Sequence, residues 1–208
     1  MGKPVVYGAD YSVYVRIVRL ALEEKGIGYD LVPVDIFAEG GAPAWYRAHH
    51  PFGRIPAFEY AGFRLFETSA IARYVDEGFS GPALQPTDAR ARATMNQIIG
   101  LLDAYAYRAM VWDVAVERLE KSEPDEVLIA GGLRQAAAVL GVLTSLKAVG
   151  PWLLGDQLTL ADLHAAPIIG YFVKVTEGQT LLAEFPDIQA WWERMTQRPS
   201  FGRTQKAE

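Results

Sequence analysis

The chain has no cysteine among its 208 residues. Disulfides, thiolate metal sites and a cysteine nucleophile are excluded together. Histidine is nearly as scarce: there are three, two of them adjacent as His49 and His50, so no metal centre is expected. Basic residues are outnumbered 20 to 25 by acidic ones, giving a net charge of −5. Such a balance offers no surplus for a phosphate backbone, and nucleic acid is not an expected partner. No run approaches 18 uncharged apolar residues, so no membrane span is expected. The opening "MGKPVVYGAD" enters a strand-like run at once, without a secretory signal pattern. Repeats and low-complexity segments are missing. What is present is a 50% hydrophobic chain, enough for one large or two small cored domains.

The first 80 or so residues alternate between strand and helix signals. "KPVVY" reads as a short strand. "YVRIVRLALEEKG" has apolar residues at helical spacing and Gly26 as a stop. "GYDLVPVDI" reads as a second strand, with Pro33 suggesting an edge. "FAEGGAPAWYRAHH" suits a short irregular helix. "PAFEY" and "FRLFE", separated by "AG", read as a β-hairpin. "TSAIARYVDEGF" is a helix. The Gly- and Pro-rich "SGPALQP", residues 80–86, reads as a linker. Beyond it the strand signals vanish. Long helical patterns run through "DARARATMNQIIGLLDAYAYRAMVWDVAVERLEK", "PDEVLIAGGLRQAAAVLGVLTSLKAVG", "TLADLHAAPIIGYFVKV" and "PDIQAWWERMTQRPS". The expected layout is an α/β domain over 1–79, the linker, and an all-α domain over 87–208.

Within "HPFGRIPAFE", Pro56 opens a strand although it has no N–H to give a ladder. The Ile55–Pro56 bond is either a plain trans bond at an edge, which the local signal favours, or a cis bond. A cis bond would turn the N–H and C=O of Ile55 outward, free to pair with an extended, peptide-like ligand.

This order of elements, with X-Pro before the third strand and a helical domain after, resembles the cytosolic glutathione S-transferases over essentially the whole chain. "HPFGRIPAFE" is similar to the family's "NPFGxVPAFE" run, "RLFETSAIARYV" to its "xLFESxAIxxYI", and "LTLADLHAA" to its "LSLADxxxx" segment. The bacterial-type members, and among classes the serine-using phi and theta, resemble "VYGADYSVYVRIVRLALEEKG" most. The resemblance implies a thioredoxin-like domain with a mixed four-stranded sheet and a cis-proline, followed by an all-helical domain. It implies an enzyme that binds reduced glutathione, stabilises its thiolate and conjugates it to a small hydrophobic electrophile, in detoxification. It also implies a cytoplasmic homodimer with no metal. The alternative is a non-catalytic member of the fold that binds ligands or partners.

The site residues follow on the same footing. Thr68 is a good N-cap residue, and the helix start beside it suits a carboxylate. Glu67 next to it could hold an ammonium. A γ-glutamyl group offers one of each. Arg54, Ile55 and Pro56 join them as glutathione-binding residues, with Arg54 a candidate for the glycine carboxylate. The basic residue that the family places in its second-helix region could be Arg47, His49 or His50. Three hydroxyls compete to activate the thiol. Ser12, at the entrance to the first helix and four before Arg16, is preferred over Tyr7 and Tyr11. In the long helix, Tyr105, Arg108 and Trp112 recur at i, i+3 and i+7 and, with Tyr11, are the expected electrophile pocket. Thr159 and Asp162 form a capping-box variant, with Asp162 buried, hydrogen-bonded and structural. "WW" at 191–192 is expected to pack the last helix on the core.

Overall fold

In the computed structural model, which describes residues 2–205, the β-branched "VVY" run forms β1, Val5–Gly8. The apolar stripe that follows forms α1, Val13–Glu24. β2, Asp30–Pro33, lies parallel to β1 at the sheet edge, where the proline lacks nothing the ladder needs. A 3₁₀ turn, Ala44–Ala48, is the short irregular helix. β3, Ala57–Tyr60, and β4, Phe63–Phe66, form the hairpin, and both turn residues take positive φ, Ala61 at 50° and Gly62 at 80°. That is the geometry a two-residue hairpin turn requires. α2, Thr68–Gly78, completes the unit. Strand order is β2-β1-β3-β4, with β1–β3 and β3–β4 antiparallel.

Register divides the side chains between the two sheet faces. Tyr7, Ala57, Glu59, Arg64 and Phe66 share one face, and Val6, Phe58 and Leu65 the other. The second face carries the helices: Phe58 lies 5.8 Å from the Tyr74 ring of α2, and Gly8 abuts Val15 of α1. The first face carries the 3₁₀ turn. There Tyr7, Trp45, Tyr46 and His49 pack ring to ring, Tyr7 and His49 at 4.2 Å. A buried ion pair, Lys25 Nζ to Asp76 Oδ1 at 3.2 Å, ties the end of α1 to α2. The same carboxylate oxygen accepts the Leu84 N–H at 2.7 Å and so fixes the linker.

The second unit, residues 85–197, is helical. Asp88 caps α3, Ala89–Leu101, by accepting the Ala91 N–H at 2.9 Å. The helix continues as a π-helix over Leu102–Val116 and returns to α form as α4, Glu117–Glu120. α5, Glu126–Leu146, starts at Asp125, whose carboxylate accepts two backbone N–H groups. Its Gly131–Gly132 pair does not break it. A methyl at Gly132 would come 2.8 Å from Val114 and 3.0 Å from the Ala109 carbonyl, so glycine lets the two helices touch. α6, Leu160–Phe172, is buried almost throughout. α7, Thr176–Ala183, and α8, Pro186–Thr196, follow.

One domain bound differs from the expectation. The all-α domain does not run to 208: residues 198–205, including α9, Pro199–Arg203, group with residues 2–84. The cause is a set of polar bonds to α1, described below. One helix nevertheless approaches membrane length, although no run of 18 uncharged apolar residues occurs. α5 is long and apolar enough, at a mean hydropathy of 1.6, to cross a membrane by length and composition. Arg134 interrupts the uncharged run, so the sequence criterion passes over it. A helix that buries Ile129, Ala136, Val139, Leu140 and Leu143 in a helical core has the same signature.

Candidate functional site

Register also determines where the candidate residues meet. Tyr7, Ala57 and Phe66 form one row across β1, β3 and β4. The next residues outward, Gly8, Pro56 and Glu67, therefore leave the sheet at the same end, on strands about 4.8 Å apart. From that end start α1 and α2. A methyl at Gly8 would come 2.4 Å from Val15 Cγ2 and 3.4 Å from Ile55 Cβ. Glycine is thus what allows the first turn of α1 to approach the Ile55 loop.

Ser12 is the N-cap of α1, with extended backbone at φ −74° and ψ 126°. Its Oγ accepts the Val15 N–H at a long 3.4 Å. The cap bond is weak, and the hydroxyl proton is not used in it. The Ile55–Pro56 bond is cis, as the family resemblance implies and the local signal alone does not. Ile55 is buried and lies outside the β1–β3 ladder, which begins at Ala57. The loop is held by Tyr46, whose hydroxyl donates to the Arg54 carbonyl at 2.7 Å. Burial raises the Tyr46 pKa and keeps it a donor. Sequence reasoning missed this contact. The Arg54 side chain is exposed.

At the start of α2 the expected N-cap moves by one residue. Glu67 is the N-cap and buried Thr68 is the first helical residue. Glu67 sits at φ 73°, ψ 114°, where a side chain is disfavoured, and makes no side-chain cap bond. Backbone strain of this kind is typically 1–3 kcal/mol (roughly) and concentrates at ligand sites. The first turn of α2 therefore presents its N–H groups without an internal side-chain acceptor.

The other candidates separate. Tyr7 projects onto the sheet face opposite α1 and α2, packed on His49. Burial raises its pKa, with Glu59 adding and Arg64 opposing. Tyr11 turns towards the loop after β2, its hydroxyl 3.4 Å from Asp35 Oδ1 and its ring 6.0 Å from Phe37. His49 faces Glu59 at 3.5 Å. His50 is 3% exposed, packed on Phe66 at 5.0 Å, with its Nδ1 unpartnered. Burial lowers its pKa, Arg54 lowers it further and Glu67 opposes. Arg47 is exposed at the end of the 3₁₀ turn.

Tyr105, Arg108 and Trp112 do not share one face as the α spacing implies. They fall in the π segment, where neighbours along the axis come five residues apart. Arg108 accordingly donates to Asp113, at i+5, over 2.6 Å. Tyr105 and Arg108 border a groove of about 530 Å³ against α5, floored by Gly131 and Gly132; Trp112 is not part of it. Asp162 is fully buried and accepts four bonds. Its donors are Leu153 N–H, Trp191 Nε1–H, Thr159 N–H and the Thr159 hydroxyl, all within 2.7–3.0 Å. Desolvation raises its pKa while the donors pull it back. Trp191 is buried on that network; Trp192 is half-buried.

Comparison with known proteins places these features in context. The model of the glutathione S-transferase N-terminal domain matches residues 11–77, and that of the C-terminal domain residues 104–199. The chain is similar to glutathione S-transferase F13 of Arabidopsis thaliana, 30% identical over 202 residues that cover 94% of this chain and 92% of the relative. Among solved structures it resembles glutathione S-transferase III in apo form, at TM-score 0.84 and 31% identity, covering 98% and 95% of the two chains. It also resembles a glutathione S-transferase of Methylobacterium radiotolerans in complex with glutathione sulfonate, at TM-score 0.79 and 25% identity, covering 100% and 97%.

Proposed function

Because the chain belongs to the glutathione S-transferase family, we propose that it binds reduced glutathione at the sheet end formed by residues 8–12, 54–56 and 67–68, with Ser12 stabilising the thiolate. The γ-glutamyl carboxylate meets Thr68 and the first N–H groups of α2, and Glu67 takes the ammonium. The backbone of Ile55, beyond the β3 ladder, pairs with the cysteinyl residue as an added strand would. Arg54 takes the glycine carboxylate in a two-pronged contact.

A free thiol with pKa about 8.5 is only a few per cent ionised at neutral pH. Lowering that value by roughly two requires about 2.7 kcal/mol of preference for the anion. One hydrogen bond to a charged acceptor supplies about 1.5–3 kcal/mol, and the α1 N-terminus up to ~1 kcal/mol. Ser12 with its helix is sufficient without a general base. The proton leaves to solvent. The thiolate sulfur forms a bond to the electrophilic carbon, and the displaced group departs with the electron pair. Within the helical unit, Tyr105 and Arg108 border the α5 groove. The single observation that carries the reading is the Ser12 cap, whose weak 3.4 Å internal bond leaves the hydroxyl proton for a ligand.

The enzyme is a cytoplasmic homodimer in this reading. An exposed aromatic patch supports a second copy as partner: Phe52 is 74% exposed, next to Phe66 and His50. Residues 73–77 of α2 and the start of α3 are the other surfaces proposed for pairing. Light scattering should give twice the chain mass of 22.9 kDa, and a monomer mass at micromolar concentration would count against it.

The test of function is retention on immobilised glutathione followed by turnover of a generic aryl halide. Ser12→Ala should be retained yet lose most turnover. Retention of the unmodified chain without turnover would support a ligand-binding protein instead.

A further inference from the structure

α1 carries Ser12 at its tip, and one side of that helix is held by residues far along the chain. Arg16, one turn beyond Ser12, donates from Nη2 to the Phe201 carbonyl at 3.0 Å and from Nε to Thr204 Oγ1 at 3.3 Å. Its guanidinium lies 4.0 Å over the Phe201 ring. Arg19, at i+3 on the same face and buried, donates to the Thr204 carbonyl at 3.2 Å, to the Arg203 carbonyl at 3.4 Å and to the Tyr29 hydroxyl at 2.9 Å. Two turns further, Glu24 accepts from Arg198 Nε at 2.7 Å and from the Ser200 hydroxyl, and Glu23 accepts from Arg203 at 2.6 Å. Phe201 and Thr204 are themselves buried.

These contacts form a set. Phe201, Arg203 and the C-cap Thr204 offer carbonyls at the end of α9, where backbone N–H partners within the helix run out. The two arginines of α1 supply them. Arginine does this because its planar fork reaches several acceptors at once while its face stacks on a ring. Away from the two arginines, α1 packs Ile17, Val18 and Ala21 into the core. The helix is thus gripped on two sides, and its rotation and height are set by both.

We propose that residues 198–205 position the thiol-activating end of α1, with Arg16 as the positioning residue through which they act on Ser12. The inference rests on the Ser12 reading above. A helix displaced by a fraction of an ångström leaves its cap hydroxyl off the line to the sulfur, and the anion loses part of its bond. Binding of the tripeptide backbone at Ile55 and Thr68 is on other elements and does not depend on this grip.

The test uses full-length variants and two readouts. Thiolate absorbance of bound glutathione across pH gives the thiol pKa, and calorimetry with S-methylglutathione gives affinity for a ligand that has no thiol. Arg16→Ala should raise the bound pKa by about 0.5–1, a three- to tenfold fall in the thiolate-to-thiol ratio. Its affinity for S-methylglutathione should change less than about twofold. Phe201→Leu should move the pKa the same way by less, and Arg16→Lys should restore only part of it. In a Ser12→Ala background, Arg16→Ala should add nothing. If Ser12→Ala raises the pKa and neither Arg16→Ala nor Phe201→Leu does, the inference is overturned and the Ser12 reading stands. A rise with Arg16→Ala that persists without Ser12 overturns it too. If Ser12→Ala leaves the pKa unchanged, the Ser12 reading itself falls, and the inference with it. Should thermal unfolding show that Arg16→Ala does not fold, Phe201→Leu and Arg16→Lys decide by the same criteria.

Discussion

Two helix starts in this chain look alike as text and differ as structures. "LTLAD" before α6 and "FETSA" before α2 both join a hydroxyl residue to a carboxylate. At α6 the pattern closes on itself: Asp162 is fully buried, with four donors on its two oxygens, and Thr159 is used through both backbone and side chain. At α2 it stays open. Glu67 is exposed, its backbone lies at φ 73°, and no side chain caps the helix. The start of α1 resembles the second case, with only a 3.4 Å contact at Ser12. A closed cap holds a fold together. An open one, at an end of a sheet where three strands release their chains, has polar capacity left for a ligand. Motif identity alone does not separate these roles; the count of internal partners does.

The closed start should be the most sensitive. Asp162→Ala leaves four donors buried without an acceptor and should cost about 3–5 kcal/mol of stability, read by urea unfolding. A cost below about 1 kcal/mol would mean the network is not what holds α6. At the open start the sign should reverse between two readouts. Thr68→Val should weaken glutathione binding by about 1–3 kcal/mol in calorimetry with little change in stability. Glu67→Gly should stabilise the fold by up to about 1 kcal/mol, because glycine accepts positive φ, while it weakens binding. If Glu67→Gly binds glutathione as well as the unchanged chain, the carboxylate has no part in the site. The smallest effect concerns His50, which packs against Phe66 beside the open start. Its pKa is lowered by burial, so the unfolded chain takes up the proton first. This contributes stability that is full above the ordinary histidine value of about 6.5 and is lost as pH falls through the folded value. His50→Asn should remove that part of the pH dependence, and denaturation midpoints between pH 7 and 5 would show it.

Much of the fold was legible because local and long-range signals agree. The "AG" turn, the Pro33 edge and the Asp162 box each have a local cause that the residues state. The site was legible in its members, and less so in its geometry. A non-glycine residue at positive φ is rare, so nothing in "FETSA" announces that Glu67 and not Thr68 is the cap. The π segment has no mark in the apolar spacing, and the face assigned to Tyr105, Arg108 and Trp112 failed for that reason. α7 hides behind Gly178, which reads as a breaker. Its glycine is a packing requirement: a methyl there would lie 1.9 Å from the Phe172 carbonyl. α9 begins within "RPS", which reads as a stop, and no periodic signal joins it to α1. The hint that was available lies in α1 itself, where Arg16 and Arg19 sit at i and i+3 within the otherwise uncharged run from Val13 to Leu22.

The central claim is that the open start of α1, and not the strand tyrosine, ionises the thiol. The most direct measurement is the pKa of glutathione bound to Ser12→Ala and to Tyr7→Phe, followed by thiolate absorbance. Ser12→Ala should return the pKa towards the free value of about 8.5, with affinity at low pH nearly unchanged, and Tyr7→Phe should leave the lowered value in place. The reverse pattern, a shift lost with Tyr7→Phe and kept with Ser12→Ala, would contradict the claim and put the tyrosine in the serine's role.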